Sequence, residues 1–303
     1  MTPPVPDHHS APGPVDDPGG SAADGPGTSA TGTSATGTSA AGTSAAGGFG
    51  PSTYGDAFAD VYDRWYGDLP GLDETIAAVE RLAGDGPVLE LACGTGRLLL
   101  PAAARGLTVH GLDASAAMLG QLRAKGEELD AVTAAGGRVE THLADMARFD
   151  LGPMRFSLVF LAFNSLFNLT TAEDQAACFA AVAHHLEPGG RFALECAVPA
   201  DRVDGPTDAV DLHSLTADRV TLRVWRQDRA AQTVMGQHVD ITEAGIRLRP
   251  WLLRYSTVGQ LDAMATAAGL ELEHRWADWS GGTFDAEGGG HVSVYRRPVA
   301  TIA

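Results

Sequence analysis

The chain has 303 residues, 44% of them hydrophobic, and a formal net charge of −17. That apolar content supplies one large α/β domain with its own core, so neither disulfides nor a structural metal is needed to hold it. Its 21 Lys and Arg are scattered, none before Arg64, which argues against the basic face that nucleic-acid binding by counterion release requires. Three cysteines, Cys93, Cys178 and Cys196, form no close pair, and a reducing cytosol is expected. No apolar run reaches the roughly 18–20 residues that span a bilayer. The opening Met-Thr-Pro-Pro-Val-Pro-Asp lacks the basic and apolar regions of a signal peptide.

Residues 1–50 are rich in Pro, Gly, Ser, Thr and Ala, and from Gly27 to Ala46 the unit Gly-Thr-Ser-Ala-Thr/Ala repeats four times. Such a segment buries too little apolar surface to offset the roughly 1–2 kcal/mol per residue that ordering costs. A disordered low-complexity tail is expected, with a partner-binding or modified segment as the rival reading. From Tyr54, the residues Phe58, Val61, Tyr62, Trp65 and Tyr66 recur at helical spacing and predict one helix with an aromatic face. Core packing and a lid over a ligand both fit that face. A second helix is predicted from Leu72 to Ala83, stopped by Gly84-Asp85-Gly86-Pro87.

An alternation follows. Strands are predicted at Pro87 to Ala92, Leu107 to Leu112, Arg138 to Leu143, Phe156 to Phe163 and Arg191 to Val198. Helices are predicted at Gly96 to Arg105, Ala114 to Lys125 and Ala172 to Leu186, the last ended by a Glu187-Pro188-Gly189-Gly190 turn. Strands alternating with helices imply a mainly parallel sheet covered on both faces. After Pro199 the rhythm breaks: Arg219 to Arg226, Thr233 to Ile241 and Ile246 to Tyr255 read as an antiparallel β insertion. A helix from Val258 to Ala268 and strands at Glu271–Trp276 and His291–Arg296 complete the chain.

The strongest chemical signal is Val88-Leu89-Glu90-Leu91-Ala92-Cys93-Gly94-Thr95-Gly96-Arg97, a strand running into a Gly-rich turn that opens a helix. In an open parallel sheet, ligands sit beyond the carboxyl ends of the strands where the crossovers change direction. A dinucleotide site wants a third glycine, yet Leu99 stands there, and Glu90 would repel a pyrophosphate. A carboxylate at that place suits a ligand with a cationic amino-acid end, as adenosylmethionine has. Asp113 ends the second strand, nineteen residues after Gly94, where a carboxylate accepts ribose hydroxyls; capping the next helix is a second role open to it. Asp145-Met146 follows the third strand, placed for an adenine amino group and ring.

The series Glu90-x-x-Cys93-Gly94-x-Gly96, Asp113, Asp145-Met146, Phe160-Leu161-Ala162-Phe163-Asn164-Ser165 and Leu186-x-Pro188-Gly189-Gly190 resembles the class I methyltransferases over Tyr54 to Arg297. The β insertion and the Tyr54…Tyr62-Asp63 lead-in are similar to the small-molecule branch with glycine and amino-sugar N-methyltransferases. The resemblance implies an α/β Rossmann-like fold with a mainly parallel seven-stranded sheet, a methyltransferase domain over 51–303, and a β-rich substrate-side layer over about 200–256. It implies that Glu90 and Gly94 hold the methionyl end of S-adenosyl-L-methionine, Asp113 the ribose, and Asp145 and Met146 the adenine, with Ala92, Gly96 and Ala114 as further cofactor-binding residues. Ala162 and Phe163 would lie near the sulfonium, Tyr62 would close over the cofactor, and Arg64 or Arg97 would reach its carboxylate. Asn164-Ser165-Leu166-Phe167 lacks the two prolines of nucleic-acid amino methyltransferases, and no paired acids suggest Mg²⁺.

The expected activity is methyl transfer to a small-molecule acceptor, an amine nitrogen first, with O- or C-methylation as the alternative. A non-catalytic adenosylmethionine-binding module and an NAD-dependent oxidoreductase are the readings of other classes. Tyr62, His213, His238, Tyr255 and His291 are candidate catalytic residues, with Trp225 and Arg254 as further pocket candidates; packing roles compete at each. No metal, nucleic-acid or membrane partner is expected, and a monomer or homodimer is.

Overall fold

The computed structural model describes residues 48–199 and 208–299. The repeat-bearing segment expected to be a disordered tail lies outside the described residues. Described elements run in chain order as α1 (Thr53–Phe58), α2 (Tyr62–Tyr66), α3 (Leu72–Ala83), β1 (Val88–Leu91), α4 (Leu99–Ala104), β2 (Thr108–Asp113), α5 (Ala116–Arg123), α6 (Gly126–Ala134), β3 (Arg138–Leu143) and β4 (Phe156–Leu161). A 3₁₀ turn (Ser165–Asn168), α7 (Ala172–His185) and β5 (Leu186–Ala197) follow. The rest comprises β6 (Asp208–Leu215), β7 (Arg219–Asp228), β8 (Thr233–Thr242), β9 (Gly245–Arg254), α8 (Val258–Ala267), β10 (Glu271–Trp276) and β11 (Gly290–Arg296).

Seven strands form one sheet in the order β10-β11-β5-β4-β1-β2-β3, parallel from β5 to β3 and antiparallel at β11 and β10. The mainly parallel seven-stranded sheet read from the sequence is therefore the observed one. β1 is buried at all four positions and β4 at five of six, because helices cover both faces of the centre. Two apolar clusters fill those faces: one holds Phe156, Phe179, Phe192 and Tyr295, the other Ile76, Leu99, Leu158 and Val294. The chain runs outward from β1 to β2 and β3, then crosses back to β4 on the other side of β1. This makes the carboxyl ends of β1 and β4 the switch point where a crevice opens.

The helix predicted from Tyr54 is two short helices, and Arg249 binds at the break. Its Nη1 donates to the Ala57 carbonyl at 2.5 Å, the acceptor that Val61 N–H would use in a continuous helix. Val61 N–H turns instead to the Phe58 carbonyl at 2.9 Å. The predicted Glu187-Pro188-Gly189-Gly190 turn is present as an irregularity inside β5: four residues lie between Leu186 and Arg191 where β4 has one between Phe156 and Leu158, and Gly189 takes φ 85°. Gly189 N–H donates to the Arg297 carbonyl and Arg297 N–H to the Gly190 carbonyl, drawing the segment into the sheet.

The strands after Pro199 form a separate antiparallel sheet, β6-β7-β8-β9, one strand more than the sequence suggested. Its inner face packs on α1 and α2. There Arg249, 2% exposed, bridges Asp240 on β8 at 3.2 Å and Asp60 between the two helices at 2.6 Å. Thr221 adds a 2.6 Å hydrogen bond to Asp240. Gly236 is required beside Trp251, since a Cβ there would lie 2.1 Å from the indole.

Candidate active site

The crevice opens at the switch point. Directly after β1 the backbone turns through Ala92 (φ 52°), Gly94 (φ 57°) and Gly96 (φ 86°). A left-handed alanine is strained, and such residues persist where the surroundings over-determine them. Asp113, at the end of β2, does this for the turn: its Oδ2 accepts from Gly94 N–H at 2.8 Å and its Oδ1 from Ser115 N–H at 2.8 Å. Ser115 in turn caps α5 through Met118 N–H and donates to Asp56 at 2.6 Å. Burial raises the Asp113 carboxyl above the ordinary range, against the backbone N–H bonds of Ser115, Gly94 and Ala114 that lower it.

The resulting pocket is open to solvent and measures about 610 Å³ with the open space at its mouth included. Tyr54 and Tyr62 from α1 and α2, Ala92 and Gly94 from the turn, and Asp113 with Ala114 line one part. Asp145, Met146, Met118 and Leu169 line the other. Asp145 Oδ1 accepts from Ala147 N–H at 2.9 Å, which fixes the carboxylate at the end of β3.

Behind this lining lies Glu90, 4% exposed, with an Oε2 that has no hydrogen-bond partner among the described residues. Burial pushes its carboxyl well above the ordinary range; Arg97 pulls it back and Asp113 adds to the rise. Arg97 is itself held low by burial, stabilised by Tyr62, Glu90 and Glu195, and its guanidinium lies 3.7 Å over the Phe163 ring. Tyr62 hydrogen-bonds Arg97, and burial raises its hydroxyl so that it stays protonated.

Beyond β4 the chain takes a second left-handed turn at Phe163 (φ 55°) and Asn164 (φ 58°). Glu195 on β5 holds it: Oε2 accepts from Phe163 N–H at 2.9 Å and its carbonyl from Asn164 N–H at 3.2 Å. Asn164 Oδ1 accepts from Ala197 N–H. Glu195 escaped the sequence reading because it sits inside a β strand with no motif around it. Only its acidity within an apolar run marks it.

A methyltransferase-domain family model matches residues 88–190, the segment from β1 into β5. The dTDP-3-amino-3,4,6-trideoxy-alpha-D-glucopyranose N,N-dimethyltransferase of Streptomyces venezuelae is 32% identical over 71% of this chain and 91% of its own length. Among solved structures, the CcbJ methyltransferase of Streptomyces caelestis is 40% identical with a TM-score of 0.76, over 83% of this chain and 100% of that one. CalS10, an amino pentose methyltransferase of Micromonospora echinaspora solved with SAM bound, is 28% identical with a TM-score of 0.58, over 78% and 96% of the two chains.

The chain belongs to the S-adenosylmethionine-dependent methyltransferases.

Of the residues singled out in this methyltransferase, the structure brings Tyr62, Ala92, Gly94, Asp113, Ala114, Asp145 and Met146 to one pocket, with Glu90 and Arg97 beside it. Gly96 lies deeper, where a Cβ would meet Leu122 at 3.0 Å and Leu100 at 3.2 Å, so it serves helix packing. Ala162 and Phe163 sit on the Arg97 side and Arg64 is exposed; none of the three lines the pocket. His213 and His238 stand against Trp65 on the inner face of the antiparallel sheet, at 4.8 and 5.4 Å between rings. One aromatic layer, Phe58 stacked on the pocket residue Tyr54, separates His238 from the pocket.

Four other candidates lie outside the lining. Trp225 donates to Asp211 at 3.2 Å, Tyr255 accepts from Gln227 at 3.1 Å, and Arg254 holds Gln175 and Ser256. His291 is buried in β11 against Ser293, and burial lowers it to about 4. Two histidine groups elsewhere are accounted for by hydrogen bonds. His110 shares a 3.1 Å bond with His142, and both nitrogens of His185 bond backbone at Leu151 and Met154. Among the described residues no helix is long and apolar enough to cross a membrane.

Proposed function

We propose that this methyltransferase transfers a methyl group to an amine nitrogen of a small molecule, with S-adenosyl-L-methionine held by the pocket residues named above. The observation that carries the cofactor assignment is the buried Glu90 carboxylate with one unpartnered oxygen beside a left-handed glycine turn. Leaving such an acceptor unmatched costs about 1–3 kcal/mol or more, so a cationic amino group is the partner that fits it. Glu90 would take the amino group of the methionyl end and Arg97 its carboxylate, since Arg97, unlike Arg64, lies on the inner side. Asp113 accepts backbone N–H groups from Gly94 and Ser115 and has lone-pair capacity beyond these for a ribose hydroxyl. Asp145 would accept from the adenine amino group, with Met146 and Leu169 against the ring.

The bound cofactor supplies a methyl group on a sulfonium, a good leaving group for in-line displacement. The protein's own work is therefore orientation and exclusion of water, worth about 7–11 kcal/mol in favourable intramolecular cases. Tyr54 and Tyr62 carry α1 and α2 over the pocket, and the Arg249–Asp60 bridge holds that cover to the antiparallel sheet. A small-molecule amine is supported by the names of two of the relatives, the dTDP-3-amino-3,4,6-trideoxy-alpha-D-glucopyranose N,N-dimethyltransferase and the amino pentose methyltransferase CalS10. It is further supported by the acidic balance of the chain, which favours a cationic acceptor. The three buried thiols are unpaired, in keeping with a reducing, cytoplasmic location.

The test uses adenosylmethionine carrying an isotopic methyl label and matched acceptors that differ only in an amine or a hydroxyl. Label in the amino sugar and not in its hydroxyl analogue supports the reading. Label in the hydroxyl analogue alone assigns O-methylation.

A further inference from the structure

The register places Glu90 on β1 and Glu195 on β5 on one face of the seven-stranded sheet, with β4 between them. Glu90 pairs with Phe160 and Phe160 with Ala193, and side chains two residues apart on a strand share a face. Arg97 is the cation beside these two carboxylates, and both stabilise its charge. A guanidinium beside a buried carboxylate ordinarily closes into a bidentate pair. Here it does not: Glu90 Oε2 has no hydrogen-bond partner among the described residues. The guanidinium lies instead 3.7 Å over the Phe163 ring.

Phe163 is in that place because Glu195 holds it there. A bulky residue at φ 55° is strained and persists only where its surroundings over-determine it. Glu195 binds the turn twice, accepting from Phe163 N–H at Oε2 (2.9 Å) and from Asn164 N–H at its backbone carbonyl (3.2 Å). One carboxylate therefore fixes the aromatic platform and draws the guanidinium toward it, across β4 from Glu90.

We propose that Glu195 is a positioning residue for the methyl donor: it holds Arg97 off Glu90, so that Glu90 stays open for the ammonium of the methionyl end and Arg97 for its carboxylate. The inference rests on the donor reading given above. Without the Glu195 charge, Arg97 swings onto Glu90, the remaining carboxylate beside it. That internal ion pair then occupies both groups the amino-acid end needs. The adenosine half of the donor, at Asp113 and Asp145, is left as it was.

Titration calorimetry of the full chain, of Glu195→Gln, of Arg97→Met and of the double variant tests this. The ligands are adenosylmethionine and 5′-methylthioadenosine, which lacks the amino-acid end and reports whether each variant keeps its crevice folded. Gln retains an oxygen for Phe163 N–H and loses the charge, so Glu195→Gln is expected to keep the wild-type circular dichroism. Its adenosylmethionine affinity is expected to fall about tenfold or more, with 5′-methylthioadenosine affinity unchanged. Beside Arg97→Met the same substitution is expected to have no further effect, since Glu195 acts through Arg97. Unchanged adenosylmethionine affinity in Glu195→Gln overturns the proposal. So does an equal loss for both ligands, which a merely structural role would give, or a loss that persists in the Arg97→Met background. A wild type that binds neither ligand removes the donor reading itself, and this inference with it.

Discussion

Asp113 Oδ2 accepts a 2.8 Å hydrogen bond from Gly94 N–H, so the end of β2 fixes the left-handed turn that closes β1. One side chain thus serves both helix capping geometry and the ligand crevice, and the two roles are separable by substitution. Asp113→Ala strands two backbone donors at about 1–3 kcal/mol each. A fall of several degrees in melting temperature is expected, with a loss of roughly tenfold or more in adenosylmethionine affinity. Asp113→Asn keeps one acceptor oxygen and should recover part of the stability but little of the affinity. Unchanged binding in both would remove Asp113 from the cofactor site.

Glu90 sets a trade between stability and binding. Burial raises its carboxyl in the folded chain, so folding favours the protonated form. The stability it contributes is present on the acid side and declines as pH rises above the unfolded value of roughly 4.3. Glu90→Gln removes that decline, and the apo variant should melt higher than wild type at pH 8. Its adenosylmethionine affinity should fall roughly tenfold or more, and the rise of affinity with pH expected of the wild type should flatten. Parallel pH series by scanning calorimetry and titration calorimetry check both.

Arg249 joins α1, the Asp60 corner and β8 from a position almost without solvent. Removing one member of a buried ion pair leaves the others uncompensated at about 3–5 kcal/mol. Arg249→Met should therefore lower urea stability by about that amount. Its cofactor affinity should weaken as well, because the helices bearing Tyr54 and Tyr62 lose their anchor. Equal stability of variant and wild type would show that the cluster contributes nothing.

His291 gives a pH dependence of the opposite kind. Burial, aided by Arg275 and opposed by Asp262, lowers it to about 4, whereas an unfolded histidine titrates near 6.5. The unfolded chain takes up its proton first, so stability is lost as pH falls from about 6.5 to 4, by about 3 kcal/mol at most. His291→Asn keeps a polar atom toward Ser293 and should flatten that limb of the curve. Identical pH profiles for the two proteins would contradict this.

Much of this architecture was legible because local pattern and tertiary demand agree. The strand Arg138–Leu143 and the Glu90, Gly94, Asp113 and Asp145 positions carry periodicity or spacing that survives without neighbours. Other features depend on residues far away in the chain. The break between α1 and α2 is met by Arg249, nearly two hundred residues on, and the segment through Gly189 and Gly190 is bonded by Arg297. α6 buries only Val132, so it has almost no apolar period to read. Glu195 acquires meaning only when β5 lies beside β4 and faces the Phe163 turn. His213, His238, Tyr255 and His291 were candidates by type alone, and the structure spreads them over three locations outside the pocket lining.

The most direct test of the central claim is isothermal titration of the full chain with adenosylmethionine, its demethylated product and NAD(H). The account predicts one-to-one micromolar binding of the first two and no heat from the third. Heat from NAD(H) alone, or from none of the three, would contradict it, and the Glu90–Gly94–Asp113 crevice would lose its assignment as the methyl-donor site.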